Sequence, residues 1–345
     1  MLPLLLALSA PAHAEDVLIV GASYVTRNNL PATVELLLDA GSGADRTVTM
    51  HATGGYSWSR HVSDAAAPGD ARTILYDTPW NAVLMQEFTD VAVKDPTSEQ
   101  WLASLAAGTE LVRAVEANGA DAFLYMTWGD RTGDASHPDF PAMQGALETA
   151  YASYRDTMRA GGLHPYVVPA GVAWRMVYAS ESDPVDESAL FYRLYASDGQ
   201  HPSPLGSYLT ACTMYSALTG LSSVGLPESN GVTPDEAAVL QGFADEAIFG
   251  TAGEAYDFPW SSDGDDTGTG DTGTDDTGTG DSGTEDSGTT DTGGDDSNEG
   301  PAEGADKDGE APAGCGCDTR SGSASLGGGL TLAAFAVARR RRRAG

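Results

Sequence analysis

The sequence predicts an α/β protein: a flavodoxin-like three-layer α/β/α sandwich around a central parallel sheet, followed by a disordered C-terminal tail. Three observations carry this. From Asp16 to about Ile248, strand-like apolar runs alternate with stretches of helical periodicity. The strand-like runs are apolar at consecutive positions, as strands covered by helices on both faces must be. Beyond Trp260 the character changes: Ser261–Asn298 repeats Asp-Thr-Gly and Asp-Ser-Gly without an apolar residue. Such a segment cannot bury enough surface to offset its ordering entropy.

The elements follow in order. Leu2–Ser9 is apolar and precedes Ala12-His13-Ala14, a small-x-small pattern. It predicts a signal peptide over residues 1–14 and a mature chain from Glu15, although no Lys or Arg precedes the apolar run. Val17–Val20 is the first strand and ends in Gly21-Ala22-Ser23-Tyr24. Leu30, Val34, Leu37 and Leu38 share one face of a helix. Thr47–Met50 is the second strand, with Gly54 and Gly55 after it, and Ala82–Met85 the third, with Gln86 after it. Thr97 or Ser98 caps a helix through Trp101, Leu105, Val112 and Val115, which ends near Gly119. Ala122–Met126 is the fourth strand, followed by Trp128, and Tyr166–Val168 the fifth. Ala142–Arg159 and Ser203–Leu218 read as helices. Residues 15–260 therefore form one domain. Parallel sheets bind ligands beyond the carboxyl ends of their strands. Ser23, Gly54, Gly55, Gln86 and Trp128 are expected on one rim.

The tail divides in two. Residues 261–314 form an acidic linker with 17 acidic residues and one Lys. Regular calcium loops interleave apolar residues that this repeat lacks, so it does not read as a calcium site. Residues 315–345 hold Cys315 and Cys317, the 13-residue apolar run Leu326–Ala338, and Arg339–Arg343. The run is short of the ~20 residues of a comfortable membrane span. The segment resembles a C-terminal surface-sorting signal of the myxobacterial type. That resemblance implies processing of the tail and display of the body on the cell surface.

The formal net charge of −32 argues against nucleic acid or an anionic membrane as partner. Membrane contact is expected only through the C-terminal segment, and the domain is expected to be a monomer. Three cysteines make no disulfide framework. Cys212 lies in an apolar helical stretch and reads as a core residue. Cys315 and Cys317 lack further ligands nearby for a metal. No cofactor is called for.

The chemistry sits in two distant segments. A serine becomes a nucleophile when a base takes its proton and a third group orients that base. Ser23 closes a strand at a glycine turn, which exposes its hydroxyl. Asp198-Gly199-Gln200-His201-Pro202-Ser203 puts a carboxylate and an imidazole three residues apart in a loop. Pro202 keeps His201 extended, so that it can reach across the rim.

Together with Gly54-Gly55-Tyr56-Ser57, these segments resemble the SGNH, or GDSL-like, hydrolases over about Asp16–Leu218. The nearest subgroup reads Gly-Asn-Ser-Tyr in its first block, then Asn-Asn-Leu-Pro, which this chain carries as Asn28-Asn29-Leu30-Pro31. The most specific piece is Asp198-x-x-His201-Pro202 followed by Gly206-Ser207-Tyr208-Leu209. The resemblance implies Ser23 as nucleophile, His201 as general base and Asp198 as its orienter. The oxyanion donors would be the Ser23 N–H, Gly55 (with Gly54 as fallback) and a side chain after strand three. The family usually has Asn there, within Gly-x-Asn-Asp. This chain reads Met85-Gln86-Glu87-Phe88-Thr89-Asp90, and Gln86 offers the equivalent amide. Tyr24 and Trp128 are expected to bind substrate, with Trp58 and Trp174 as further pocket candidates. His51, His61, His137 and His164 show no partner pattern and receive no role.

These features point to a secreted, surface-tethered serine hydrolase. It would cleave acetyl esters of carbohydrates, or lipid esters, through an acyl-enzyme. A catalytically weakened carbohydrate-binding module on the same fold is the alternative. A structural surface protein built around the acidic repeat is a third reading. The joint presence of Ser23, Asp198 and His201 favours the enzyme.

Overall fold

The computed structural model describes residues 16–43 and 46–261. The expected signal peptide, the acidic linker beyond Ser261, Cys315, Cys317 and the sorting tail lie outside the described residues.

Five strands form one parallel sheet: β1 (Val17–Gly21), β2 (Val48–Ala52), β3 (Ala82–Met85), β4 (Asp121–Tyr125) and β5 (Tyr166–Val168), in the order β2-β1-β3-β4-β5. This is the flavodoxin-like order. Every residue of β1 and β3 is buried. Both strands are central and covered on both faces, which explains their unbroken apolar runs. At the edge, β2 leaves Met50 42% exposed.

Eight helices matter for the site. They are α1 (Ser23–Thr26), α2 (Leu30–Ser42), α3 (Trp58–Asp64), α4 (Glu99–Ala117), α5 (Phe140–Ala160), α6 (Ala170–Ser180), α7 (Pro204–Thr219) and α8 (Pro234–Phe249). The chain leaves β1 in one direction to β2 and then crosses to β3 on the other side. Right-handed crossovers therefore put α2 on the sheet face opposite α4 and α5. The contacts agree: α2 packs on α7 and α7 on α8, whereas α3 packs on α4 and α4 on α5. The change of direction opens a crevice at the carboxyl ends of β1 and β3.

Sequence periodicity located the packing faces. Leu30, Val34, Leu37 and Leu38 of α2 are all buried, and Cys212 of α7 is a free thiol in the core, pushed by burial up to about 12. Ser98, not Thr97, caps α4, its hydroxyl accepting the Trp101 N–H. Thr233 and Glu236 form a capping box that starts α8 at Pro234. At the end of the domain, Trp260 stacks on Phe258 at 5.0 Å and donates its indole N–H to the Ala217 carbonyl. Among the described residues, no helix is long and apolar enough to cross a membrane.

Candidate active site

Ser23 stands where β1 ends and α1 begins, at the sheet's carboxyl rim. The turn is tight. A Cβ on Gly21 would meet Gln86 Oε1 and Val25 Cγ2 at 2.7 Å, so this position takes only glycine without rearrangement. The Ala22 N–H donates to Gln86 Oε1 at 2.8 Å. The Gly21 carbonyl accepts the Thr53 N–H at 3.1 Å and the His61 Nε2–H at 3.0 Å. Three neighbouring segments thus hold the serine in place.

The second segment is a closed loop. Ala196 N–H donates to the His201 carbonyl at 2.8 Å and Gly199 N–H to the Ala196 carbonyl at 3.0 Å. Gly199 has φ +72°, a left-handed conformation that favours glycine. Asp198 Oδ1 accepts the N–H groups of Gln200 at 3.0 Å and His201 at 2.9 Å, which turns the chain back on itself. Its Oδ2 accepts His201 Nδ1–H at 2.9 Å. On the other side of the ring, Ser23 Oγ lies 2.9 Å from His201 Nε2, across 178 residues of sequence.

Elements around the rim hold this loop. Arg131, just after β4, donates its N–H to the Gly199 carbonyl at 2.8 Å and lays its guanidinium 3.8 Å over the Tyr192 ring. Trp128 donates its indole N–H to the Gln200 carbonyl at 3.2 Å. Asn28, at φ +52°, sends its amide to the Pro202 carbonyl and Ser207 Oγ, both at 2.9 Å. Asn28 therefore ties the segment after the serine turn directly to the histidine loop.

The electrostatics suit proton transfer. Burial opposes ionisation of Asp198. The N–H groups of Gln200 and His201 and the imidazole outweigh it and hold the carboxyl at about 2. An ionised Asp198 fixes the Nδ1–H tautomer of His201. That leaves the Nε2 lone pair for the Ser23 hydroxyl, the geometry of a general base poised on a nucleophile.

The donor side departs from expectation. Among the described residues, no acceptor meets the N–H of Ser23 or of Gly55. Gly55 has φ +74° and open space around it, in the turn that follows β2. Both backbone donors are available. Gln86 is not aimed at the rim. It is buried, with Oε1 on the Ala22 N–H and Nε2 donating to the Glu87 carbonyl at 3.1 Å. It ties β3 to the serine turn, so the expected side-chain donor is corrected to a structural link.

The aromatic expectation is corrected too. Tyr24 is 4% exposed, and Trp128, Trp58 and Trp174 are 0% exposed, so none offers a face to substrate. Tyr24 stacks on Trp128 at 4.7 Å and Trp128 on Trp174 at 3.9 Å. The Tyr24 ring meets His201 edge-on at 5.6 Å. These rings are a floor beneath the histidine. Large aromatics gain most by full burial, and that outweighed their placement after strand ends.

No family model matches the chain, and no curated protein matches it. Solved structures do. A DUF4886 family protein from Bacteroides uniformis superposes with a TM-score of 0.52 at 20% identity, over 68% of this chain and 95% of the other. It has the same fold. A candidate SGNH hydrolase from Slackia heliotrinireducens gives 0.46 at 25% identity, over 59% and 97%. The lipase/acylhydrolase from Enterococcus faecalis gives 0.44 at 11% identity, over 60% and 96%.

Two buried titratable residues had no legible role. His61 of α3 lies beneath the serine turn, and burial lowers its imidazole to about 4. Glu87, 0% exposed, is raised by burial from 4.5 to about 7. Their pH effects oppose each other. The neutral His61 contributes stability above its unfolded value of 6.5. That contribution is lost as pH falls through about 4. The protonated Glu87 contributes stability below 4.5, lost as pH rises through about 7. Glu87→Gln is therefore expected to gain thermal stability relative to wild type on going from pH 5 to pH 8. A melting-temperature difference independent of pH would refute this.

A cavity of about 710 Å³ opens beside the histidine loop, lined by four carboxylates (Asp90, Asp95, Asp130 and Asp134) against one ammonium, Lys94, with Gln200 among the other residues. Burial, then the Asp90 charge, raises Asp130 to about 6.

Proposed function

We propose that this chain is a serine hydrolase that cleaves carboxylic esters through an acyl-enzyme. The Ser23–His201–Asp198 relay, with both links at 2.9 Å, carries the reading. Ser23 Oγ attacks the ester carbonyl while His201 Nε2 takes its proton. The oxyanion draws on the N–H groups of Ser23 and Gly55. The tetrahedral adduct collapses, and His201 returns the proton to the departing alcohol. Water, activated by the same imidazole, then releases the acid. Asp198 keeps the tautomer and stabilises the imidazolium throughout.

The acidic cavity favours a neutral, hydroxyl-rich alcohol. Carboxylates accept hydrogen bonds from sugar hydroxyls and repel anionic substrates. Acetyl esters of carbohydrates are therefore preferred over lipid esters. The purified protein is expected to hydrolyse p-nitrophenyl acetate and to release acetate from acetylated oligosaccharides. Turnover should fall as the acyl chain lengthens, and a phosphonate that labels Ser23 should abolish it. Absence of turnover on every ester from acetyl to palmitoyl would sink the assignment.

Secretion and surface display complete the proposal, on the strength of Ala12-His13-Ala14, the acidic stalk and the Cys, apolar and Arg order of the tail. Fractionation that finds the full-length chain in the cytoplasm would overturn this part alone.

A further inference from the structure

We propose that Gln86 and Glu87, consecutive at the end of β3, are positioning residues that set the spacing between the two backbone donors of the oxyanion hole. The inference rests on the serine-hydrolase reading. It assigns the segment after strand three a different task from supplying a donor of its own.

The two side chains reach the two donor segments separately. Gln86 Oε1 accepts the N–H of Ala22, the residue before the Ser23 donor. The Glu87 carboxylate accepts the N–H of Trp58, three residues after the Gly55 donor, at 3.1 and 3.3 Å from its two oxygens. Glu87 is itself locked. It accepts its neighbour Phe88 N–H at 2.6 Å and the Ser104 hydroxyl of α4, and its own N–H donates to Tyr151 Oη at 3.3 Å. Ser104 Oγ in turn meets Tyr154 Oη at 3.1 Å. His61 closes the frame by donating from α3 to Gly21. The serine turn, the Gly55 turn and the end of β3 are thereby joined through three fully buried side chains.

The energetics favour a functional reason for the carboxyl. None of the ion pairs among the described residues includes Glu87. A buried carboxyl without a cation is costly, and an apolar side chain of similar volume would pack α3 against α4 at lower cost. What an apolar residue lacks is an acceptor of the right length for the Trp58 N–H. Oxyanion donors act only at hydrogen-bond distance from where charge develops, and a misplacement of about 1 Å can cost ~10²-fold in rate.

The alternative is that Glu87 merely caps α3. Full-length Glu87→Asp, Glu87→Gln and Gln86→Ala distinguish the two. The measurements are kcat and KM on p-nitrophenyl acetate, phosphonate titration of Ser23, and affinity for a trifluoromethyl ketone, which adds to the serine as a tetrahedral oxyanion. Glu87→Asp keeps the carboxyl and retracts it by one methylene. It is expected to lower kcat per titratable serine by about 10-fold with KM within about two-fold, and to weaken the ketone by the same factor. Glu87→Gln keeps the length and should return kcat to within about three-fold of wild type. Gln86→Ala should also lose about 10-fold or more in kcat. Wild-type kcat and ketone affinity in Glu87→Asp, with only the melting temperature lowered, would overturn the proposal. Should that variant not fold, an unchanged kcat in Gln86→Ala overturns it instead. If the wild type hydrolyses no ester, the serine-hydrolase reading fails and takes this one with it. Active wild type with insensitive variants sinks the positioning role alone.

Discussion

Ser23→Ala is expected to lower ester hydrolysis by ~10⁴-fold or more while leaving the fold intact. The side chain of Ser23 makes one hydrogen bond, to His201 Nε2 at 2.9 Å. Its loss removes a single hydroxyl at the rim and no packing. The turn is held by its backbone, through Gly21, Ala22 and their contacts with His61, Thr53 and Gln86. Melting temperature should therefore stay near that of wild type. Residual turnover would come from the backbone donors and binding alone. A steady-state assay with a phosphonate-titrated wild type as reference decides it. Activity within a few-fold of wild type would mean that another group attacks the ester.

Asp198→Asn is expected to cost ~10³- to 10⁴-fold in kcat. Asn retains one oxygen, enough to accept the Gln200 and His201 N–H groups at 3.0 and 2.9 Å and so to keep the loop closed. Its amide nitrogen then faces His201 Nδ1, where Oδ2 stood at 2.9 Å. Two donors cannot meet, so the imidazole moves its proton to Nε2 and can no longer accept one from Ser23. The defect lies in the tautomer and leaves the architecture alone. Circular dichroism and melting temperature should match wild type while kcat collapses. A loss of less than about 10-fold would make Asp198 a turn-capping residue whose charge is dispensable.

Both predictions concern residues whose proposed roles were readable along the chain, and the reason is local. A strand that ends in Gly-x-Ser states its own exposure, and Asp-x-x-His puts carboxylate and imidazole in one turn through short-range hydrogen bonds. The strands were legible for the same reason, within a residue or two at their ends. β2 begins at Val48, one residue later than expected, and β4 runs Asp121–Tyr125 where Ala122–Met126 was expected. The helices α3, α6 and α8 were not singled out. For α8 a signal existed in Thr233-Pro234-Asp235-Glu236, a cap, a proline at the first turn and a capping-box glutamate.

The sequence by itself determined the alternation of buried strands and amphipathic helices, hence the parallel sheet, and the presence of a serine, an imidazole and a carboxylate on its carboxyl rim. Each rests on periodicity or on turn chemistry confined to a few neighbouring residues. Tertiary structure alone decided which way the polar and aromatic side chains around that rim would face. Gln86 could have turned outward to an oxyanion or inward to Ala22, and Tyr24 and Trp128 outward to a substrate or inward to each other. His61 and Glu87 found their partners 40 and 29 residues away, at Gly21 and Trp58. Such choices depend on which unpaired N–H, carbonyl or ring face the folded chain brings within reach, because a buried polar group must be satisfied wherever the packing leaves it.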